Sequence, residues 1–296
     1  MTATTDPAQG EARADERPLQ VRTPPRSRRH TLGRVGAYVA ATLLALWVLV
    51  PLVLITFVTF VPRERVRDFP KTWWPQEWSA DTFLFFWNSA GVRPALWNSI
   101  VIALMTVLMA MAIGAPAGYA LARFTFRGAN AYRITVLSTR AFPIVILSIP
   151  LAVTFLIWGI ADTRLAVALM HTALALPFVV LITSSIFLSV SKDLEEAAQT
   201  LGCTPFQAFL RVSLPLTLPG LTAAAIFTFV LSWNEVFAAS ILTLRNPTLP
   251  ALVLDALTVS PLPFQFAAGF FLMAPSLIFL FLIRKYLLGL WGRVER

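Results

Sequence analysis

Two long apolar runs of this sequence are separated by the polar stretch Asp193-Leu-Glu-Glu-Ala-Ala-Gln-Thr-Leu-Gly-Cys-Thr-Pro-Phe-Gln-Ala-Phe-Leu-Arg-Val-Ser-Leu-Pro-Leu216. Asp193 and Glu196 have the spacing of a capping box that starts a helix, and Gly202 stands where a glycine ends one. The run from Thr204 to Gln207 has the cap residue and first-turn proline that start a second helix. These signals predict a structured elbow of two short helices over residues 192–216.

The first helix of this elbow is amphipathic. Helical spacing puts small and aliphatic side chains on one face, namely Leu194, Ala197, Ala198 and Leu201. The polar side chains Glu195, Glu196 and Gln199 lie elsewhere on the helix. This pattern predicts a docking surface for another protein, and the alternative interpretation is an ordinary connector between two membrane helices.

The composition is that of a multispan membrane protein. Of 296 residues, 57% are hydrophobic and 13% charged, and the mean hydropathy is +0.72. The net charge of +9 does not indicate nucleic-acid binding, because the basic residues cluster beside apolar spans. One cysteine, Cys203, excludes an internal disulfide, and Cys/His metal spacings are absent. We therefore expect membrane lipid around the chain, with no nucleic acid, metal or cofactor.

Six apolar runs are long enough to cross a bilayer, which takes about 20 helical residues. They cover residues 35–62, 94–122, 134 or 141 to 160, 165–191, 219–244 and 266–283. Pro143 and Pro150 predict kinks in the third run. The expected fold is all-α, with a six-helix transmembrane domain over residues 32–292. Residues 1–31 are predicted to be a disordered tail, and residues 293–296 a short second tail.

The distribution of basic residues predicts the orientation. Most of them lie beside span ends on the side of the elbow, which places the elbow and both chain termini in the cytoplasm. The first outer loop conflicts with this rule, since it carries Arg63, Arg65, Arg67, Lys71 and Arg93. Tryptophans in the same loop indicate anchoring at the membrane surface, which a short interfacial helix would suit. The alternative interpretation of these tryptophans is contact with a partner protein.

Motif spacing resembles a known family of transporters. One motif resembles the EAA loop of ATP-binding-cassette importer permeases. It consists of Glu196-Ala197-Ala198, three further residues, Gly202, nine further residues and Val212-Ser213-Leu214-Pro215. Two further motifs look like signatures of carbohydrate-type permeases. The first is Asn98-Ser99-Ile100, and the second is the run from Gly114 to Gly128, which contains Tyr119-Ala120-Leu121-Ala122-Arg123. Small residues in this run predict close helix packing. Tyr119 itself is interpreted as a packing residue.

This resemblance implies a type I importer permease in a bacterial inner membrane. Its partners would be a second, non-identical permease, two cytoplasmic ATPase subunits and an extracytoplasmic solute-binding protein. The implied ATPase-coupling residues are Glu195, Glu196, Ala197, Ala198, Gly202, Leu214 and Pro215. Two departures, Leu201 in place of the usual Asp and a terminus without G-A-x-K-G, bear on the substrate more than on the family.

Glu235 is the acidic residue inside a predicted span, where a charge costs about 2.5–3.5 kcal/mol. One hypothesis is that Trp233, Asn234 and Glu235 line the solute path, with the indole stacking on a sugar; the other is a structural hydrogen bond. His171 could line the path as well, although a membrane histidine usually has a hydrogen-bonded partner. The W-N-E triplet also recurs in the resembling family.

An ATP-driven importer of a sugar, polyol or glycerophosphate is the function that these features favour. The chain has no G-x-x-x-x-G-K-[ST] phosphate loop, so energy would come from a partner, and no catalytic cluster indicates an enzyme. The first alternative is a permease for a polyamine or amino acid. The second is an ion-coupled secondary transporter, which predicts inverted repeats and paired intramembrane charges.

Overall fold

The computed structural model describes residues 28–70 and 74–291, with side-chain surroundings from residue 33 to residue 282. Every regular element in these ranges is a helix. The α-helices are α1 (Arg28–Thr59), α2 (Asp81–Trp87), α3 (Val92–Arg123), α4 (Ala129–Ser138), α5 (Ile144–Ile157), α6 (Arg164–Leu188), α7 (Asp193–Thr200), α8 (Pro205–Ala208), α9 (Leu214–Trp233), α10 (Phe237–Leu242), α11 (Leu249–Ala256) and α12 (Leu262–Trp291). The predicted disordered tail 1–31 is wrong over residues 28–31, which begin α1; residues 1–27 and the second predicted tail lie outside the described residues.

The long helices confirm an all-α membrane fold. Five stretches are long and apolar enough to cross a membrane: Gly33–Thr59, Val92–Arg123, Arg164–Leu188, Pro205–Trp233 and Leu262–Leu282. Residues 129–141 and 144–157 form a bent pair that makes a sixth span if counted as one. The chain divides into two units at Val50 and Pro51. The described part of the first unit is the beginning of α1, which is exposed from residue 33 on, and all contacts below lie in the second.

The third predicted span is a bent pair of helices rather than a kinked helix. Its two parts meet at an angle of 89° beside Pro143. Phe142 is extended there, with ψ of 125°, because the ring of a following proline disfavours the helical conformation. Pro150, in contrast, is accommodated inside α5. The sequence located both prolines but not which one would break the helix.

Two glycines bring α3 against α6. A Cβ atom on Gly114 would lie 2.6 Å from Val179 Cγ1, and one on Gly118 would lie 2.7 Å from the backbone nitrogen of Ser184. Since no side chain larger than hydrogen fits at either position, the helices approach closely. The predicted role in close helix packing is confirmed for Gly114 and Gly118. A hydroxyl adds a polar link, because Thr183 Oγ1 donates to the carbonyl of Gly114 at 3.0 Å.

The fifth predicted span differs at both ends. The span begins at Pro205, since α8 runs through a π-helical turn, Phe209–Ser213, into α9. It ends at Trp233 instead of residue 244, and α10 follows as a separate short helix. The second elbow helix is therefore the first turn of a span.

The segments between the long helices contain further helices. The predicted outer loop 245–265 contains α11, whose N-terminus is capped by Thr248 Oγ1 accepting from the N–H of Ala251. The short α2 follows the first tryptophans, as the sequence suggested for that loop. Its Phe86 packs on Phe264 and Phe271 of α12, with ring centroids 4.8 and 4.9 Å apart.

Candidate coupling elbow and solute path

Backbone hydrogen bonds shape the turn of the elbow. Gly202 has φ of +96°, a left-handed conformation that glycine adopts without steric cost. Its N–H donates to Gln199 O, and the next N–H, of Cys203, donates to Ala198 O, both at 3.0 Å. This pair of bonds is the Schellman pattern that ends a helix. A reciprocal capping box between Thr204 and Gln207 then starts α8, and both predictions are confirmed.

The predicted capping box at the start of α7 is wrong. The helix has Lys192 as its cap residue, and no side chain caps it. Asp193 instead exchanges hydrogen bonds with Ser191 Oγ. Glu196 pairs with Lys192 at 3.1 Å, one turn earlier on the exposed surface. Lys192 and Glu196 have the i,i+4 spacing of helix surfaces, and Asp193 bonds two residues back along the chain, so both acidic side chains have partners other than the cap.

Glu195 turns inward, unlike the rest of the acidic side chains of α7. Its carboxylate accepts from Arg123 Nε at 2.6 Å, from Tyr119 Oη at 2.8 Å and from Ser213 Oγ. The Arg123 and Glu195 side chains are each 6% exposed. A direct contact between Glu195 and a docked protein is therefore not available in this structure. We call these four residues the elbow cluster: Tyr119, Arg123, Glu195 and Ser213.

The elbow cluster itself supplies the partners that stabilise the ionised carboxylate of Glu195. Burial raises the pKa of the Glu195 carboxyl, but hydrogen bonds from Ser213, Tyr119 and Arg123 and the charge of Arg123 more than offset it, so the pKa lies below its usual value. Arg123 also donates to the carbonyl of Val190, at 3.1 Å. The cluster thus joins the last turn of α3 to the end of α6, to α7 and to the start of α9.

The outward side of the elbow carries the remaining predicted coupling residues. Leu194 is 48% and Leu201 87% exposed, although both are aliphatic. Glu196, Ala197, Gly202 and Pro215 are also exposed, whereas Ala198 and Leu214 are half-buried. Exposed apolar side chains beside polar ones are typical of surfaces that bind other proteins.

The second predicted site divides into buried and accessible residues. Trp233 is 2% exposed; its indole N–H donates to Leu272 O at 3.0 Å and its ring stacks on Phe229. The hypothesis that Trp233 stacks on a sugar is not supported by this position. Asn234 is exposed and donates to Val230 O and to Ser276 Oγ.

Glu235 lies at a break between helices rather than in the middle of one. Its carboxylate accepts from the N–H groups of Ala238 at 2.9 Å and Ala239 at 3.0 Å, so it caps α10. It also contacts His171 Nε2 at 3.0 Å, while His171 Nδ1 lies 2.7 Å from Ser232 Oγ. The structural interpretation of both residues is therefore supported, and His171 is fully buried.

A cavity of about 860 Å³ lies against the exposed side of this site. Its walls come from α3, the bent pair, α6, α9 and α10, and are mainly aliphatic. Its polar lining residues are Tyr132, Thr139, Arg140, Asn234 and Glu235, and two phenylalanines, Phe142 and Phe237, lie beside them. His171 and Trp233 do not line it. Arg140 donates to Leu174 O and lies over the Phe178 ring, 4.1 Å from its centroid.

Sequence reasoning missed the partners of Glu195. Tyr119 and Arg123 are four residues apart, so they share one helix face, and this spacing was the available signal. Their convergence on a residue 76 positions away from Tyr119 depends on tertiary contacts, which a local pattern does not contain. Tyr119 is therefore more than the packing residue that the sequence suggested.

Comparison with known proteins identifies the family. Residues 114–288 match the family described as binding-protein-dependent transport system inner membrane component. The chain belongs to this family. The match includes both ends of the elbow and the W-N-E triplet, and it confirms the resemblance stated from the motifs.

Named relatives and solved structures agree with this membership. The trehalose transport system permease protein SugB of Mycobacterium tuberculosis is 33% identical, over 71% of this chain and 76% of its own. The diacetylchitobiose uptake system permease protein NgcG of Streptomyces coelicolor is 31% identical, over 67% of each chain. A crystal structure of a bacterial transporter that imports alginate has the same fold, with a TM-score of 0.69 and 20% identity over 89% of this chain and 99% of that one.

Proposed function

We propose that this family member is the permease subunit of an ATP-driven importer for a carbohydrate or a related polyol or glycerophosphate. Family membership supports the transport role. The solute class is supported by the relatives, two of which are named for trehalose and diacetylchitobiose. These names favour a carbohydrate over a polyamine or amino acid, and the family favours binding-protein-dependent import over ion-coupled secondary transport.

The elbow is the proposed docking site for the ATPase subunits, and its geometry is the observation that carries the proposal. A rigid turn presents exposed aliphatic side chains, Leu194 and Leu201, beside the carboxylate of Glu196. Gly202, Ala197, Ala198, Leu214 and Pro215 shape this surface. Glu195 contributes indirectly by holding the elbow on the span ends.

The proposed assembly has a second, non-identical permease, two ATPase subunits and a solute-binding protein. The elbow and both termini would face the cytoplasm of a bacterial cell, with the permease spanning the inner membrane. Residues 1–31 and 293–296 would be tails flanking a permease domain over 32–292. Basic residues at the span ends on the elbow side support this orientation.

The cavity beside Asn234 is the proposed part of the solute path. Solute sites combine apolar walls with a few placed polar groups, as this cavity does. Asn234 and Glu235 would contact solute hydroxyls, whereas Trp233 and His171 would support them from behind. This assigns two of the four predicted path residues to contact and two to support.

The test compares Gly202→Ala with Gly159→Ala in the complete transporter reconstituted in lipid vesicles. Both glycines have positive φ, +96° and +71°, and neither has a neighbour within 4 Å of an added Cβ. At both positions an added Cβ is therefore opposed by the backbone conformation and by no neighbouring atom, but only Gly202 is in the elbow. We expect Gly202→Ala and Glu196→Lys to reduce sugar uptake at least about tenfold, and Gly159→Ala to leave it nearly unchanged.

Two outcomes would overturn the proposal. Uptake that survives Glu196→Lys and depletion of ATP, but stops when ion gradients are collapsed, would indicate secondary transport. If the binding protein of the same transporter binds an amino acid or polyamine and no sugar by calorimetry, the solute class is wrong while the importer role stands.

A further inference from the structure

We propose that α3 is a rigid rod that carries movement between the elbow and the loop of residues 243–249, through a polar clasp at each end. The proposal rests on the proposed function, since it concerns how an ATP-driven movement of the elbow spreads. It also gives a physical role to two sequence motifs that have no role in docking of the ATPase subunits. These are Asn98-Ser99 at the start of α3 and Tyr119 with Arg123 at its end.

The first clasp is the elbow cluster. Tyr119 and Arg123 lie one turn apart on α3, and both donate to the Glu195 carboxylate. Glu195 in turn accepts from Ser213, which precedes α9 directly. Residues 124–192 separate the end of α3 from the start of α7 in the chain, so these bonds are a direct attachment of the elbow to α3.

Burial makes this clasp hard to open. The Arg123 and Glu195 side chains are each 6% exposed, and separating them would leave two uncompensated charges away from water. Tyr119 is further enclosed by Phe187 and Phe209, with centroids 5.2 and 4.6 Å away. A displacement of α7 therefore carries the end of α3 with it rather than breaking the contact.

The second clasp holds the loop at the other end of α3. Asn98 Nδ2 donates to Pro247 O at 3.1 Å, and the N–H of Leu249 donates to Ser99 Oγ at 2.8 Å. Arg164, at the start of α6, donates to Asn98 Oδ1 at 2.8 Å. Asn98 and Ser99 are each 3% exposed, so this clasp is also shielded from water.

The same loop is anchored from a second side. The carboxylate of Asp162 accepts the N–H groups of three consecutive residues, Leu244, Arg245 and Asn246, at 2.9–3.3 Å. A loop fixed at this many points responds as one body when α3 or α6 shifts.

Between the clasps every residue of α3 is helical, including Pro116, which leaves one backbone hydrogen bond of the helix unmade. Residues 98 and 123 are about 37 Å apart along such a helix, at about 1.5 Å per residue. Axial stretching would break backbone hydrogen bonds, and contact at Gly114 and Gly118 keeps α3 on α6. A shift at one end is therefore passed to the other, and the coupling is reciprocal because it is a free energy shared by both ends.

The test places a nitroxide label on Leu244→Cys, in a Cys203→Ser background that removes the native thiol. Leu244 is 88% exposed, so the label reports on the loop without disturbing packing. The permease is reconstituted with its partner permease and cysteine-free ATPase subunits, and spectra are recorded with and without ATP and vanadate. Arg123→Met and Asn98→Ala each open one clasp, while Arg123→Lys keeps the charge beside Glu195.

We expect ATP and vanadate to change the label's mobility in the unchanged protein. Arg123→Met and Asn98→Ala should make this response at least about threefold smaller, as expected for residues in a coupling network. Arg123→Lys should restore at least half of it. The control is Arg65→Met, which breaks an exposed ion pair with Glu77, 3.0 Å long, and should leave the response unchanged.

The inference is overturned if Arg123→Met and Asn98→Ala assemble and respond like the unchanged protein, or if Arg65→Met reduces the response as much as they do. If Arg123→Met does not assemble, Tyr119→Phe and Asn98→Ala decide on the same criterion. Failure of the proposed function looks different, since the unchanged permease would then neither bind the ATPase subunits nor respond to nucleotide.

Discussion

Glu195 and Glu196 are adjacent acidic residues with opposite surroundings. Glu196 lies on the exposed surface beside Lys192, whereas Glu195 is enclosed by three donors. The sequence motif predicts one coupling surface for both residues, because both precede the Ala-Ala pair. A local pattern gives the helix face of each residue, but the partner that determines its role is more than 70 positions away in the chain.

The pH dependence of stability should report on Glu195. Its folded pKa lies below its ordinary value of 4.5, so its contribution is present above pH 4.5 and is lost as the pH falls through the folded pKa. At pH 7 we expect Glu195→Gln to lower the free energy of unfolding by about 2–3 kcal/mol.

This difference should narrow as the pH falls below 4.5, measured by thermal unfolding of both proteins in detergent at a series of pH values. Comparing the two proteins cancels the titration of other carboxyls. A difference that stays constant across the series would show that the ionised state of Glu195 is not what the cluster stabilises.

Trp233 should affect stability rather than solute choice. Trp233→Phe removes the hydrogen bond to Leu272 O and leaves a gap in a buried cluster, at an expected cost of about 1–3 kcal/mol. Relative uptake rates of competing sugars should stay as they are. Asn234→Ala, at the neighbouring residue that lines the cavity, should change those relative rates. If Trp233→Phe changes them and Asn234→Ala does not, the indole lies in the solute path.

At the scale of elements, apolar runs predicted where the long helices lie, because bilayer thickness sets a minimum helix length. A kink is predicted at both Pro143 and Pro150, but not an 89° bend beside Pro143 with Pro150 inside α5, and not the end of α9 at Trp233. Hydropathy averages over many residues, whereas a break depends on a single missing N–H or on a carboxylate that caps the next helix. The sequence places Glu235 inside a span, whereas the structure shows a capping residue between two helices.

The contact between α3 and α6 gives a prediction for elements. Gly118→Ala places a Cβ 2.7 Å from the backbone of Ser184, so the helices must separate, and we expect a loss of about 1–3 kcal/mol. The matched control is Gly269→Ala in α12, where an added Cβ would lie 3.5 Å from Ile55 at ordinary contact distance. Thermal unfolding of both variants measures this, and equal stability would mean that α3 and α6 adapt without cost.

For the whole molecule, the orientation in the membrane can be measured with two cysteines of equal exposure. Leu201→Cys in the elbow and Leu244→Cys in the loop replace side chains that are 87% and 88% exposed, each in a Cys203→Ser background. A membrane-impermeant maleimide added to spheroplasts, whose inner membrane is intact, should label position 244 only. In inverted vesicles lacking the ATPase subunits it should label position 201 only. The opposite pattern would reverse the predicted topology.

The π-helical turn Phe209–Ser213 has a consequence for comparing and recombining permeases of this family. It adds residues to one turn of an otherwise continuous helix, so the elbow and α9 are joined in a fixed rotational phase. Deleting one residue there would rotate the elbow by about 100° about the helix axis. Chimaeras that exchange elbows should therefore be joined at the Gly202 turn or beyond Leu214, and insertions within the turn should be rarer among functional homologues than substitutions.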